Sequence, residues 1–136
     1  MAIVTTSQVL YDGPRRATLQ FTGSSDGAGQ LDFDTLVDAS ALSALGPGQL
    51  CGAVKVEKIN ATVSYGVIEL YWGALIPVRF AVLSGDNQVF CYEDITALNN
   101  AAAGPSATGD ILISTIGFSA NSTFMLKLEL IKKKAS

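Results

Sequence analysis

The sequence contains no histidine. That absence removes Ser-His-Asp and Cys-His catalysis, imidazole-ligated zinc or haem, and any histidine pH switch. Cysteine is scarce as well. Cys51 and Cys91 stand 40 positions apart with no CxxC pair and no further thiol, too few ligands for a structural zinc site. Neither has a base beside it in sequence, so both are expected to be free, buried packing residues. Charge is thin, at 15 % of residues against about a quarter in an ordinary domain. No apolar run is long enough for a membrane-spanning helix. The opening MAIVTTSQVL lacks the basic start and continuous apolar core of a secretory signal, so a cytosolic origin is expected.

What is present is a hydrophobic chain of 136 residues, 49 % apolar, with net charge −3 and mean hydropathy +0.35. This length suits one domain spanning 1–136, and roughly two-thirds of its extended surface is buried on folding. So much apolar surface with so few charges points to a subunit interface. The acidic balance argues against a phosphate-gripping surface, and neither a helix-turn-helix nor an aromatic-plus-basic sheet face occurs, so no nucleic-acid partner is expected.

Period 2 dominates. Ala17, Leu19 and Phe21 alternate with Thr18, Gln20 and Thr22, and Phe124, Leu126, Leu128 and Leu130 alternate with Met125, Lys127 and Glu129. Both are patterns of half-buried strands. Strands are expected near 2–10, 15–23, 31–38, 53–65, 67–73, 77–83, 87–92, 110–116 and 122–132. Turn chemistry separates them at Asp12-Gly13-Pro14, Ser24 to Gly29, Gly46-Pro47-Gly48 and Ser84 to Asn87, with a bulge or tight turn at Tyr65-Gly66. Ala39 to Leu45 and Glu93 to Ala103 each suit a short helical turn, and Asn99 to Gly109 an exposed loop without large apolar anchors. Eight to nine short strands imply an all-β, single-domain antiparallel β-sandwich of jelly-roll type.

The chemistry-bearing residues are sparse. Asp32, Asp34 and Asp38 offer three carboxylates on one strand face, a conceivable hard-cation set. They equally suit a solvated face with Leu31, Phe33 and Val37 inward. Glu93-Asp94 is an acidic pair, but adjacent strand residues point to opposite faces. Tyr65, Tyr71, Trp72, Phe80, Phe90 and Tyr92 suit a core, an interface, or a sugar-stacking surface; Trp72 alternates with Ile68 and Leu70 and is expected in the core. The Gly-rich 22–29 segment has no Gly-Lys-Ser/Thr end, so it is no phosphate loop. No catalytic, cofactor or metal set can be named, and the expectation is a protein that is not an enzyme and carries no cofactor. The cations expected to meet a partner are Arg15, Arg16, Arg79, Lys132, Lys133 and Lys134.

The run Val9-Leu10-Tyr11-Asp12-Gly13-Pro14-Arg15-Arg16, followed by Leu19-Gln20-Phe21-Thr22-Gly23 and Asp26, resembles a family of small tailed-bacteriophage virion structural proteins. The likeness resumes at Lys58-Ile59 to Trp72, at Leu98-Asn99-Asn100, at Thr108-Gly109-Asp110-Ile111-Leu112, and in the alternating end with Lys132-Lys133. It departs where Trp72 leads to Gly73-Ala74 and where Glu93 to Ala97 replaces a glycine-rich stretch. The resemblance implies a protein made in the host cytoplasm and carried on the exterior of the virion head. There it would act as a decoration or cement protein binding the major capsid protein, as a homo-oligomer, dimer or trimer, with no membrane partner. A tail, neck or head-fibre component and a carbohydrate-binding module for host attachment are the alternatives.

Overall fold

A computed structural model of the chain describes residues 3–27, 30–92 and 108–134. Among the described residues seven strands form one antiparallel sheet: β1 (Ile3–Asp12), β2 (Arg16–Asp26), β3 (Asp34–Val37), β4 (Cys51–Trp72), β5 (Val78–Cys91), β6 (Ile111–Ile116) and β7 (Ala120–Lys134). The order is β1-β2-β7-β4-β6-β3, and β5 pairs the other edge of β4. The sheet curls on itself into a jelly-roll-like β-sandwich, the fold class that period-2 patterning implied.

Nine expected segments become seven strands for a physical reason. The glycines read as turns are corners inside continuous strands. Gly66 sits at φ +96° and Gly85 at φ +84°, a region that costs glycine nothing because it has no Cβ. Before this corner β4 pairs β7, from Cys51↔Lys134 to Val63↔Phe124. Beyond it β4 pairs β6, from Val67↔Ile116 to Trp72↔Ile111. β5 follows the bend, with Gly85 opposite Val63, so the two strands serve both layers.

The inward faces are those the alternation marks. Ala17, Leu19 and Phe21 of β2 and Phe124, Leu126, Leu128 and Leu130 of β7 are buried, as are Val54, Val56, Ile59, Ile68, Leu70 and Trp72 of β4. Trp72 is stacked on Phe80, ring centroids 4.0 Å apart at 19°. β3 is shorter than expected: it has four residues, three of which pair with Ile111 to Ile113 of β6. The Ala39 segment is a single 3-10 turn, Ala39–Ala41, capped by the Asp38 carboxylate accepting from the Ser40 N–H. The expected turn at Glu93 to Ala103, the acidic pair Glu93-Asp94 and most of the loop at Asn99 to Gly109 lie outside the described residues.

Both ends of β4 meet at one end of the sandwich. A side chain at Gly109 (φ +87°) would collide with the Gly52 carbonyl. The Gly73 N–H donates to the Asp110 carbonyl at 2.9 Å, and the Thr108 N–H donates to the Gly73 carbonyl at 2.9 Å. Gly109 therefore keeps the start and the finish of β4 together. At this end also lie Lys133, opposite Ala53, and Arg15, whose carbonyl accepts from the Lys132 N–H.

Candidate interaction surfaces

The six cations expected to meet a partner divide sharply. Lys132 is no surface residue: its side chain is 0 % exposed. Its ammonium donates to the Asp12 carboxylate, to the Gly13 carbonyl at 2.5 Å and to the Ser43 carbonyl at 2.8 Å. The Ser43 hydroxyl also lies within 3.0 Å of it. An unpaired ammonium could not be buried there, and these acceptors replace its water. Lys132 thus clasps the β1–β2 turn and the segment after the 3-10 turn to the end of β7. Burial works against charge on Asp12, but hydrogen bonds from Lys132 and Ser43 outweigh it and hold the carboxyl below its usual range. The expectation that Lys132 meets a partner is corrected, because alternation places residue 132 on the inward face.

Arg15 and Lys133 are exposed. Arg16 is exposed too and is paired with Glu57 across the sheet. Lys134 closes β7 opposite Cys51. Beside these cations, at the same end, three aliphatic side chains project: Leu50 is 68 % exposed, Leu75 85 % and Ile76 79 %. Leu50 stands two residues from Gly52 and Leu75 two from Gly73, the glycines that Gly109 brings together. The opposite end, built from Asp26–Gly27, Ser64–Val67 and Ile116–Thr123, contains no lysine or arginine. The cations are therefore gathered at the end that carries Leu50, Leu75 and Ile76, whereas the opposite end exposes Tyr65 and Ile116 without a cation beside them.

Arg79 lies on an outer face. Its guanidinium donates to the Glu69 carboxylate at 2.5 Å, and the Tyr71 hydroxyl donates to the same carboxylate at 2.9 Å. These two donors hold the Glu69 carboxyl below its ordinary range. Burial, then the neighbouring Glu69, raises the Tyr71 phenol. Phe33 packs edge-on to Tyr71 with centroids 4.8 Å apart. The expectation that Phe33 points inward is corrected: it is 45 % exposed at φ 53°, a left-handed conformation that turns its ring outward. The Glu69–Arg79 pairing was open to sequence reasoning. Each is a lone charge in an apolar run, and the Gly73–Pro77 turn brings the two runs side by side.

The remaining assignments are plain. The Asp38 carboxylate is spent on capping the 3-10 turn, while Asp34 is the first residue of β3 and is exposed. Among the described residues no group of three metal-ligating side chains occurs, and no helix is long and apolar enough to cross a membrane. Cys51 is buried and its thiol is pushed up by burial. Cys91 is exposed, against the expectation of two buried thiols, because it ends β5 on the outward side.

No family model matches the chain, and no curated protein matches it. Solved structures that resemble it include the cupin domain of Cnp3 from Schizosaccharomyces pombe (11 % identity, TM-score 0.37, 95 % of this chain). This chain spans 61 % of that one's length. The carbohydrate-binding module CtCBM11 is similar at 5 % identity and TM-score 0.39, covering 100 % of this chain and 86 % of that one. The polyketide cyclase RemF from Streptomyces resistomycificus is similar at 12 % identity and TM-score 0.39, covering 97 % and 68 %. These are likenesses of β-sandwich form. One of them nevertheless corrects the expectation that the chain is not an enzyme. A cyclase stands among the similar structures, and a β-sandwich fold by itself speaks neither for nor against catalysis.

Proposed function

We propose that the chain is a structural protein of a tailed-bacteriophage virion, which decorates the head and cements neighbouring copies of the major capsid protein. The observation that carries this reading is the cation-bearing end of the sandwich. Leu50, Leu75 and Ile76 stand exposed beside Arg15 and Lys133. Nearly bare aliphatic side chains at a loop tip are costly to leave in water and suit burial in a partner's apolar recess. The surrounding cations suit an acidic rim. The YDGPRR opening, which supplies Arg15, is also the most distinctive part of the resemblance to phage virion proteins.

Cementing follows from mass action. A protein that binds only the assembled shell stabilises it, and many copies add their contributions along the seams. The sugar-stacking alternative loses one of its residues, because Trp72 is buried against Phe80. The test is co-sedimentation with expanded heads stripped of this protein. Saturable pelleting that Leu75→Ser with Ile76→Ser weakens at least tenfold is the expected outcome. Failure of the folded wild type to pellet overturns the reading, and a low subunit count on purified particles moves it to the tail or neck.

A further inference from the structure

Among the described residues, three strands have only one paired edge: β1, β3 and β5. Two are protected in the ways that keep sheets from adding strangers. β3 is four residues long and begins at Asp34, with Asp32 and Asp38 close on either side. β5 carries Arg79 and Asp86, and its ladder with β4 is broken by three register shifts. β1 is different. It runs for ten residues, IVTTSQVLYD, with no proline and no charge before Asp12, and its one register shift against β2 comes only past Val9. From Thr5 to Tyr11 every side chain is exposed. In such a strand alternate residues direct N–H and C=O away from the paired neighbour, toward whatever lies beyond.

The β1 sequence is also complementary to itself. Its polar centre, Thr5-Thr6-Ser7-Gln8, is flanked by Ile3-Val4 on one side and Val9-Leu10-Tyr11 on the other. Antiparallel pairing centred on Ser7 sets Ser7 opposite Ser7, Thr6 opposite Gln8 and Thr5 opposite Val9, and stops short of the register shift that β1 makes between Val9 and Tyr11. Hydroxyls then meet hydroxyl or amide at the centre, and the β-branched Thr5 meets the β-branched Val9, pairings that suit a ladder. No like charges face each other within that span. From Thr5 to Val9 the residues paired in this register share parity, so both copies keep their inward faces on the same side and the sheet continues through the contact.

We propose that β1 is the dimer contact of this protein, joining two copies edge to edge about a twofold axis through Ser7. The contact lies on the sheet edge, away from Leu50, Leu75 and Ile76, and stands or falls without the capsid reading.

Thr6 and Gln8 are the residues to change, since both are exposed and face each other in this register. Sedimentation equilibrium of the wild type is expected to give twice 14.2 kDa, and Thr6→Lys with Gln8→Lys to give the monomer mass with an unchanged thermal melt. Two lysines then oppose two lysines. Thr6→Glu with Gln8→Glu is expected to be monomeric alone and to form a mixed dimer with the lysine variant. Amide exchange offers a second reading: in the wild type every β1 amide is slow, whereas in the lysine variant alternate amides exchange at least tenfold faster. A monomeric wild type overturns the proposal. So does a dimer that the lysine substitutions leave intact, or a failure of the lysine and glutamate variants to combine.

Discussion

Lys132 and Arg79 look alike in the sequence, each a cation within a strand of apolar pattern, yet the fold uses them in opposite ways. Lys132 is completely covered and donates to acceptors from two separate segments. Arg79 keeps 57 % of its side chain in water and pairs with one carboxylate. The first ion replaces hydration with protein acceptors and locks three parts of the chain. The second stays hydrated and holds Glu69 and Tyr71 in place on a surface. The contrast shows that the worth of a charge is set by how much water it gives up, which its sequence neighbours do not reveal.

The comparison breaks most easily at Asp12. Asp12→Ala leaves the Lys132 ammonium buried without its counter-ion, and a loss of about 3 kcal/mol is expected from urea denaturation. A loss as small as that from an exposed-site substitution would show that Lys132 reaches water. Acid gives the next effect. Asp12 ionises more readily in the folded protein than its ordinary value of 3.8 allows, and Glu69 more readily than 4.5. Their contribution is therefore complete above those ordinary values and is lost as pH falls through the lower folded ones. Stability measured from pH 7 down to about pH 3 should drop, and the drop should be shallower in Asp12→Asn. The smallest effects belong to the exposed cations. Arg79→Ala and Lys133→Ala should shift the urea midpoint by only a small fraction of the Asp12→Ala shift, and Arg79→Ala should do so less in high salt.

The layers of the sandwich were legible because alternation is a direct record of which face is wet. The β2 and β7 patterns locate their buried residues one by one. What alternation does not carry is continuity. A glycine between two apolar runs reads as a turn whether the chain reverses or merely bends, so Gly66 and Gly85 divided β4 and β5 into four. Pairing across long separations is equally silent: nothing local says that Lys132 reaches Asp12, 120 residues away. The Lys132-Lys133-Lys134 triplet reads as one solvated group, but the strand period sends 132 inward and 133 outward. Of the end proposed to meet a partner, Arg15 and Lys133 could be named from the sequence. Leu50, Leu75 and Ile76 could not, since an aliphatic residue in a loop carries no sign of exposure until the fold places it.

The position of β7 has a consequence for how the protein comes into being. It lies between β2 and β4, so the sheet has a missing middle until residues 120–134 have left the ribosome. Synthesis delivers β1 to β6 first, and during those seconds Val54 and Val56 have no partner strand, while Leu19 and Phe21 are paired on the β1 side alone. A chain ending before Ala120 is expected to show no cooperative melt, where two half-stable pieces would predict a residual one. The fold is assembled by its last strand, and for this protein the exposure to aggregation falls in the interval just before that strand arrives.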